Sequence, residues 1–272
     1  MRDTQLFQLA LGLSSPWLLP EARFDAAEKR LDIEIDFKTG GRFTCPECQA
    51  ADCPVHDTVK KQWRHLDFFQ HQAFLHARTP RITCGACGVR LVNVPWARPG
   101  SGFTLLFEAL AMTLMTAMPV LAAGRLMDEH DTRMWRVLHH WVEEARARAD
   151  YADVRRVAID ETAARRGHDY ISLFVDIDER RVLFVADGKD AGTVAQFADD
   201  LEAHNGDASH VKEVCIDMSK AFIAGVTENL TEAEITFDKF HVMKLIGDAV
   251  DEVRRIESKS RPELKRDRKS VV

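Results

Sequence analysis

The pattern of apolar and polar positions changes along the chain. In the first hundred residues it is typical of β-strands. Residues 31–37 (LDIEIDF) alternate strictly, which predicts a half-buried strand after a short apolar helix. Residues 63–68 and 72–78 are interpreted as two strands of a ribbon. Residues 95–102 contain closely spaced Pro, Gly and Ser and are predicted to be a linker.

The middle of the chain is helical in pattern, with helices predicted at 104–117, 119–127 and 132–148. The last two have the proportions of a helix-turn-helix. A core stripe is predicted on the third helix at Met134, Val137, Leu138 and Trp141. Another face carries Arg133, Arg136 and His140, where a recognition helix would contact DNA. A helical linker bundle without DNA contacts is the alternative.

Beyond residue 150 the pattern predicts a mixed α/β domain. Strands are predicted at 155–160, 170–176, 181–186, 211–216 and 234–237, with helices at 193–204 and 219–229. This is the chain order of an RNase H-like domain, in which the first and fourth strands are neighbours. Each of these two strands is an apolar run that ends in an acid, Asp160 or Asp217.

The two aspartates are predicted to meet at one sheet edge and to hold Mg²⁺ through carboxylate oxygens. A pair of such ions supports phosphodiester chemistry. The alternative is that each aspartate only ends its strand as a cap or turn residue. Glu161 is a weaker candidate because it should point to the opposite side of the strand.

Six cysteines suggest a metal site. Cys45, Cys48, Cys84 and Cys87 form two Cys-x-x-Cys pairs, the ligand set of a closed structural zinc site. The 35 residues between the pairs must then fold back as a hairpin. Four unpaired buried thiols are the alternative. Cys53 and His56 are near enough to be alternative ligands but are interpreted as bystanders, and Cys215 is predicted to be a core residue of a buried strand.

The net charge of -6 does not indicate nucleic-acid binding, but the distribution of charge does. Five Lys/Arg against one acid lie between Thr58 and Arg81, and eight against three lie between residues 254 and 270. Lys60, Lys61 and Arg64 are candidate phosphate contacts, although a solvated sheet face would explain them too. No apolar stretch reaches 18 residues, so we expect a cytoplasmic protein without a membrane span.

Several motifs together resemble the ISL3 family of insertion-sequence transposases. In the zinc segment they are CPEC (45–48), VHD (55–57), WRHLD (63–67) and CGAC (84–87). Further along they are IDETA (159–163), RGHDY (166–170), CIDMSKA (215–221) and FDKFHVMK (237–244). The similarity runs from about residue 40 to 257, and the motifs keep the family's order.

The resemblance implies a zinc-finger β-ribbon with an N-terminal extension (1–98), a helix-turn-helix domain (103–148) and an incomplete RNase H-like DDE domain (153–272). It implies Mg²⁺-dependent cleavage and transfer of double-stranded DNA, at the inverted-repeat ends of an element and at a target, by a homo-oligomer. Asp160 and Asp217 match the first two acids of the triad. Asp238 and His241 match a family motif without an assigned role.

The resemblance implies that the family's third acid, a glutamate, lies beyond residue 272. The charged segment after Glu257 no longer resembles the family's sequences. A truncated, inactive DNA-binding remnant is therefore the alternative function. Glu252 and Glu257 lie on an amphipathic, charged helix and are interpreted as surface ion-pair residues rather than substitutes for that acid.

Overall fold

The computed structural model describes residues 3–165 and 169–261, which divide into two compact units at Glu144–Ala145. Residues 166–168 of the RGHDY motif and residues 262–272 of the C-terminal basic cluster lie outside the described residues. The first unit contains both the cysteine pairs and the predicted helix-turn-helix. The second contains Asp160 and Asp217. Asp217 directly follows its strand, but the prediction that Asp160 ends its strand is wrong, because that strand continues to Ala163 by pairing with the next strand as far as Tyr170.

The first unit is built on a sheet with the order β1-β2-β5-β4-β3 and β6 paired to β5. Its elements are α1 (Asp3–Ala10), β1 (Trp17–Asp25), β2 (Arg30–Phe37), β3 (Arg42–Phe43), β4 (Cys53–Phe68), β5 (His71–Cys84) and β6 (Gly88–Leu91). The long antiparallel pair β4–β5 confirms the hairpin between the cysteine pairs. The alternation on β2 is borne out, since Leu31, Ile33 and Ile35 are all buried.

The three helices follow as α2 (Leu105–Ala117), α3 (Val120–Leu126) and α4 (Asp131–Ala147). The predicted stripe on α4 forms part of their core: Met134 and Val137 are buried, and Leu138 and Trp141 pack against them. The segment predicted as a linker, residues 95–102, is hydrogen-bonded to β4, because the Arg64 amide donates to the Gly102 carbonyl at 2.9 Å. In return the Thr104 amide donates to the Arg64 carbonyl at 3.0 Å, which fixes the start of α2 against β4.

The second unit is a five-stranded sheet with the order β11-β10-β7-β8-β9. Its elements are β7 (Arg156–Ala163), β8 (Tyr170–Asp176), β9 (Arg181–Asp187), α5 (Ala191–Ala203), β10 (Glu213–Ile216), α6 (Lys220–Asn229), β11 (Glu234–Phe237) and α7 (Lys239–Ser260), with a 3₁₀ turn at Ala208–His210. The first strand, β7, and the fourth, β10, are parallel neighbours, as the sequence predicts. Their apolar residues Val157, Ile159, Val214 and Ile216 are buried in the core.

Two features of this unit differ from simple expectation. Cys215, predicted to be a core residue, is only partly buried, because it lies on the face of β10 opposite Val214 and Ile216. Helix α7 is long, but none of its residues is buried. In the part of the chain that the structure describes, no helix combines the length and apolarity needed to cross a bilayer.

Candidate metal sites and DNA-binding surface

The two cysteine pairs converge in the first unit. Cys45 and Cys48 lie in the turn after β3, while Cys84 ends β5 and Cys87 lies in the turn that leads to β6. Their four sulfur atoms all lie within 4.8 Å of one another, and Cys48 Sγ is 3.5 Å from Cys84 Sγ. Zinc–sulfur bonds of about 2.3 Å in a tetrahedron require sulfur–sulfur edges of about 3.8 Å. The arrangement therefore fits one tetrahedral zinc ion.

Both knuckles turn in the same way. The residue after each second cysteine has a left-handed backbone, with φ of 60° at Gln49 and 73° at Gly88. Gly88 suits this conformation because it has no Cβ. Gln49 instead holds it with local hydrogen bonds, from its amide to the Cys45 carbonyl at 3.1 Å and from Nε2 to the Pro46 carbonyl at 3.2 Å.

Close packing of the four thiols shifts the pKa values of two of them, Cys84 and Cys87. Backbone amides of Cys87 and Ala86 donate to Cys84 and, with Cys48, lower its pKa to about 6. The neighbouring Cys48 thiol, together with burial, raises the pKa of Cys87 to about 12. A bound dication would favour the thiolate form of all four residues, because zinc takes deprotonated sulfur.

Cys53 and His56 lie outside the four-sulfur set. The Cys53 thiol is buried and faces the Ala50 carbonyl at 3.5 Å. Burial raises the pKa of this thiol, followed by the influence of Cys84. The His56 ring is half exposed and lies 3.4 Å from Asp57. Neither residue belongs to the four mutually close ligands.

The ribbon brings only part of the predicted basic set to the surface. Lys60 is exposed and Lys61 is half-buried on β4. Arg64 is 3% exposed. Its guanidinium donates to the Ala73 carbonyl, ion-pairs with Asp67 and lies over the Phe74 ring at 5.3 Å and the Phe107 ring at 5.5 Å. Arg64 is therefore unavailable to a DNA phosphate, because its charge is used to join the ribbon to α2.

The predicted contact residues of α4 also fall into different environments. Arg136 is exposed. Arg133 ion-pairs with Glu129 at 2.5 Å and lies over the Phe103 ring at 4.1 Å, so it is tied to its own unit. His140 is partly buried and packs against Trp141 with ring centroids 5.1 Å apart.

Two exposed residues of α4 complete this face and were missed from the sequence. Trp135 is 45% exposed, and its ring lies 5.8 Å from that of exposed His139. Thr132, Trp135, Arg136 and His139 have the i, i+3, i+4, i+7 spacing of one helix face. The sequence signal for this face is its position opposite the core stripe of α4, and Arg133 lies outside it.

The parallel pairing of β7 with β10 places the two candidate aspartates at equivalent positions on neighbouring strands. On β7 and β10, Val157 pairs with Val214 and Ala158 with Cys215. Continued by two residues, the register aligns Asp160 with Asp217, on strands about 4.8 Å apart. Oδ1 of Asp160 accepts from the Glu161 amide and Oδ1 of Asp217 from the Ser219 amide, each at 2.8 Å. Each Oδ2 has no hydrogen-bond partner among the described residues.

The other acids near this edge have different surroundings. Glu161 pairs with Lys189 at 3.1 Å on the opposite side of β7. Asp178 accepts hydrogen bonds from Arg156, which lower its pKa. Asp238 caps α7 by accepting from the Phe240 amide at 2.9 Å. Among the described residues the four cysteines are the only set of three or more ligands within 4.8 Å of one another, so no three of the acids at this sheet edge lie as close together.

Family models match three consecutive segments of the chain. A zinc-finger of transposase IS204/IS1001/IS1096/IS1165 matches residues 41–87. The helix-turn-helix domain of transposase family ISL3 matches residues 92–142. An ISL3 model described as a transposase, of DDE type, matches residues 157–272.

Curated relatives are similar over most of this chain. A transposase for insertion sequence element IS1557 from Mycobacterium tuberculosis is 29% identical over 265 residues, covering 94% of this chain and 58% of the relative. A transposase for insertion sequence element IS1001 from Bordetella parapertussis is 30% identical over 217 residues, covering 77% of this chain and 52% of the relative. The chain thus spans little more than half the length of these relatives. With its zinc-finger, helix-turn-helix and DDE segments in order, the chain belongs to the ISL3 family of insertion-sequence transposases.

Proposed function

We propose that this chain binds the ends of an insertion sequence and takes part in Mg²⁺-dependent cleavage and transfer of DNA strands. The observation that carries the proposal is the parallel register of β7 and β10, which, continued by two residues, aligns Asp160 within β7 with Asp217 directly after β10. The strand order 3-2-1-4-5, counted from β7, supports an RNase H-like domain. Within this domain the two aspartates are the proposed magnesium ligands.

Magnesium would supply the charge that phosphoryl transfer needs, by polarising the phosphate and stabilising the leaving oxygen. The residues of this chain fit that ion, because each of the two carboxylates, at neighbouring register positions, has one oxygen without a hydrogen-bond partner among the described residues. Buried Val157, Ile159, Val214 and Ile216 anchor the strands and fix the height of the aspartates at the sheet edge. This rigid support would hold the acids while a phosphodiester is bound.

DNA recognition is assigned to the first unit. We place Trp135, Arg136 and His139 of α4 against base edges or phosphates in the major groove. Arg133 and His140 are left out because they are engaged by Glu129, Phe103 and Trp141. Lys60 and Lys61 are proposed phosphate contacts on the ribbon. The cysteine cluster would hold a structural zinc ion and stabilise the ribbon without touching the reacting DNA.

The partners follow from this chemistry. Two element ends and a target are processed together, so we propose a homo-oligomer assembled on double-stranded DNA. Chromosomal DNA as the substrate would place the reaction in the cytoplasm.

The test is cleavage of DNA carrying the inverted repeats that flank the coding sequence. We expect Mg²⁺-dependent release of a 3′-hydroxyl end at the repeat boundary. Asp160→Asn and Asp217→Asn should each reduce the rate by at least 10³-fold while DNA affinity is retained. Asp187→Asn, an exposed acid at the end of β9, is the matched control. Equal rates in all four proteins would refute the assignment.

A further inference from the structure

A third parallel strand ends at the same sheet edge as the two proposed magnesium ligands. On β10 and β11, Cys215 pairs with Thr236 and Ile216 with Phe237. One more step in this register aligns Asp217 with Asp238. The Asp238 amide donates to the Ile216 carbonyl at 2.8 Å, so the pairing does extend to this residue. Asp160, Asp217 and Asp238 are therefore successive register positions across three neighbouring strands.

Asp238 also orients a histidine. Its Oδ2 lies 3.2 Å from Nδ1 of His241, in the first turn of α7. Side chains of a helix tilt toward its N-terminus, which here adjoins the sheet edge. The His241 side chain is 35% exposed, and its Nε2 has no hydrogen-bond partner among the described residues.

Capping alone does not account for this pair. Asp238 Oδ1 already satisfies the Phe240 amide at 2.9 Å, as an N-cap residue should. The second oxygen is left to accept from His241. A carboxylate on Nδ1 holds the imidazole proton there, so that Nε2 presents a lone pair. A lone pair within reach of the attacking water can accept one of its protons.

We propose that His241 is a further catalytic residue of this site and that Asp238 is its positioning residue, an inference that rests on the proposed function. In strand cleavage, the water oxygen bonds to phosphorus while one water proton passes to His241 Nε2. The bond from phosphorus to the 3′ oxygen breaks, and that oxygen keeps the electron pair and takes a proton from solvent. The products are a 3′-hydroxyl and a 5′-phosphate, and His241 then releases its proton to solvent.

The chain supplies a matched control pair. Nε2 of His210 lies 3.9 Å from Oδ2 of Asp207. Like Asp238, Asp207 is an N-cap residue and precedes its histidine by three residues. This pair precedes β10 and so lies at the opposite end of the strand from Asp217. A His–Asp pair that only stabilises its helix start should behave alike at both positions. A catalytic pair should not.

The first experiment tests placement by replacing Mg²⁺ with Fe²⁺ in the zinc-loaded chain. Ascorbate and peroxide then generate radicals that cut the backbone beside bound iron. We expect cuts near residues 160, 217 and 238–241, none near 207–210, and loss of all of them in Asp160→Asn. Cuts near 160 and 217 without cuts at 238–241 would overturn this inference and leave the proposed function standing. Absence of any Asp160-dependent cut would count against both.

The second experiment tests the chemical role by chemical rescue. His241→Ala should lower the cleavage rate by about 10²- to 10⁴-fold without changing DNA affinity. Free imidazole should restore part of the rate, and His241→Gln, which fills the space, should not be restored. His210→Ala should cleave like the wild type. An unchanged rate in His241→Ala, or a loss that imidazole does not relieve, would overturn the role as proton acceptor.

Discussion

Glu108 of α2 offers a sharp test of how the helix-turn-helix is held together. Its carboxylate is completely buried in the first unit. It accepts from Arg98 Nε at 2.9 Å, from Ser101 Oγ at 2.5 Å and from Trp141 Nε1 at 2.8 Å. One side chain thus joins the segment before α2 to the helix that carries the proposed recognition face.

The cost of removing this carboxylate can be worked from these contacts. Glu108→Ala leaves the Arg98 guanidinium, whose side chain is 19% exposed, without its partner. Breaking a buried pair from one side costs about 3–5 kcal/mol. Glu108→Gln keeps the shape and one acceptor but loses the charge, so we expect about 1–2 kcal/mol.

The assay is urea unfolding of the zinc-loaded chain, monitored by tryptophan fluorescence, together with DNA binding. Glu143→Ala, an exposed acid on α4, is the control and should change the free energy of unfolding by less than about 0.5 kcal/mol. We expect Glu108→Ala to lose DNA affinity in parallel with stability while zinc content stays constant. Equal stability of Glu108→Ala and Glu143→Ala would refute the reasoning.

Four further predictions follow from particular residues. Cys48→Ser should lose the zinc that the wild type retains at one ion per chain, as measured by atomic emission; full retention would contradict the four-sulfur site. Gly124→Ala should destabilise the helix-turn-helix by about 1–3 kcal/mol in urea unfolding, because the added Cβ would lie 2.9 Å from the Glu129 carbonyl. Arg136→Ala should lower DNA affinity and reduce the salt dependence by about one phosphate contact, whereas Lys38→Ala in the β2–β3 turn should not. Burial lowers the pKa of His65 to about 4 from 6.5, so as the pH falls the unfolded protein takes up a proton at this residue before the folded protein does. The free energy of unfolding should therefore fall as the pH drops from 6.5 to 4, and His65→Gln should reduce this pH dependence.

Local patterns predicted most of the elements because each carries its own periodicity. Strict alternation predicted β2, and apolar runs followed by an acid predicted β7 and β10, although β7 continues past Asp160 to Ala163 because it pairs with β8 over those residues. Strand β1 was missed because Pro20 and charged residues interrupt its alternation, and its pairing shifts register between Leu18 and Glu21. A glycine such as Gly88 is typical of a tight turn, but nothing in the sequence indicates that Gln49 adopts the same left-handed backbone.

Side-chain roles that depend on distant contacts were harder to predict. Arg64 is basic and follows an aromatic residue, which suggests DNA contact, yet packing against Phe107 on α2 buries it. Arg133 similarly lies over Phe103, some thirty residues earlier. The alignment of Asp238 with Asp217 depends on the pairing of β10 with β11, which short-range patterns do not specify.

The central claim is that Asp160 and Asp217 together hold a divalent cation at one sheet edge. The most direct measurement is Mn²⁺ binding to the zinc-loaded chain by electron paramagnetic resonance. We predict saturable binding that is lost in Asp160→Asn and in Asp217→Asn and is retained in Asp187→Asn. Identical Mn²⁺ binding by the wild type and all three variants would contradict the account.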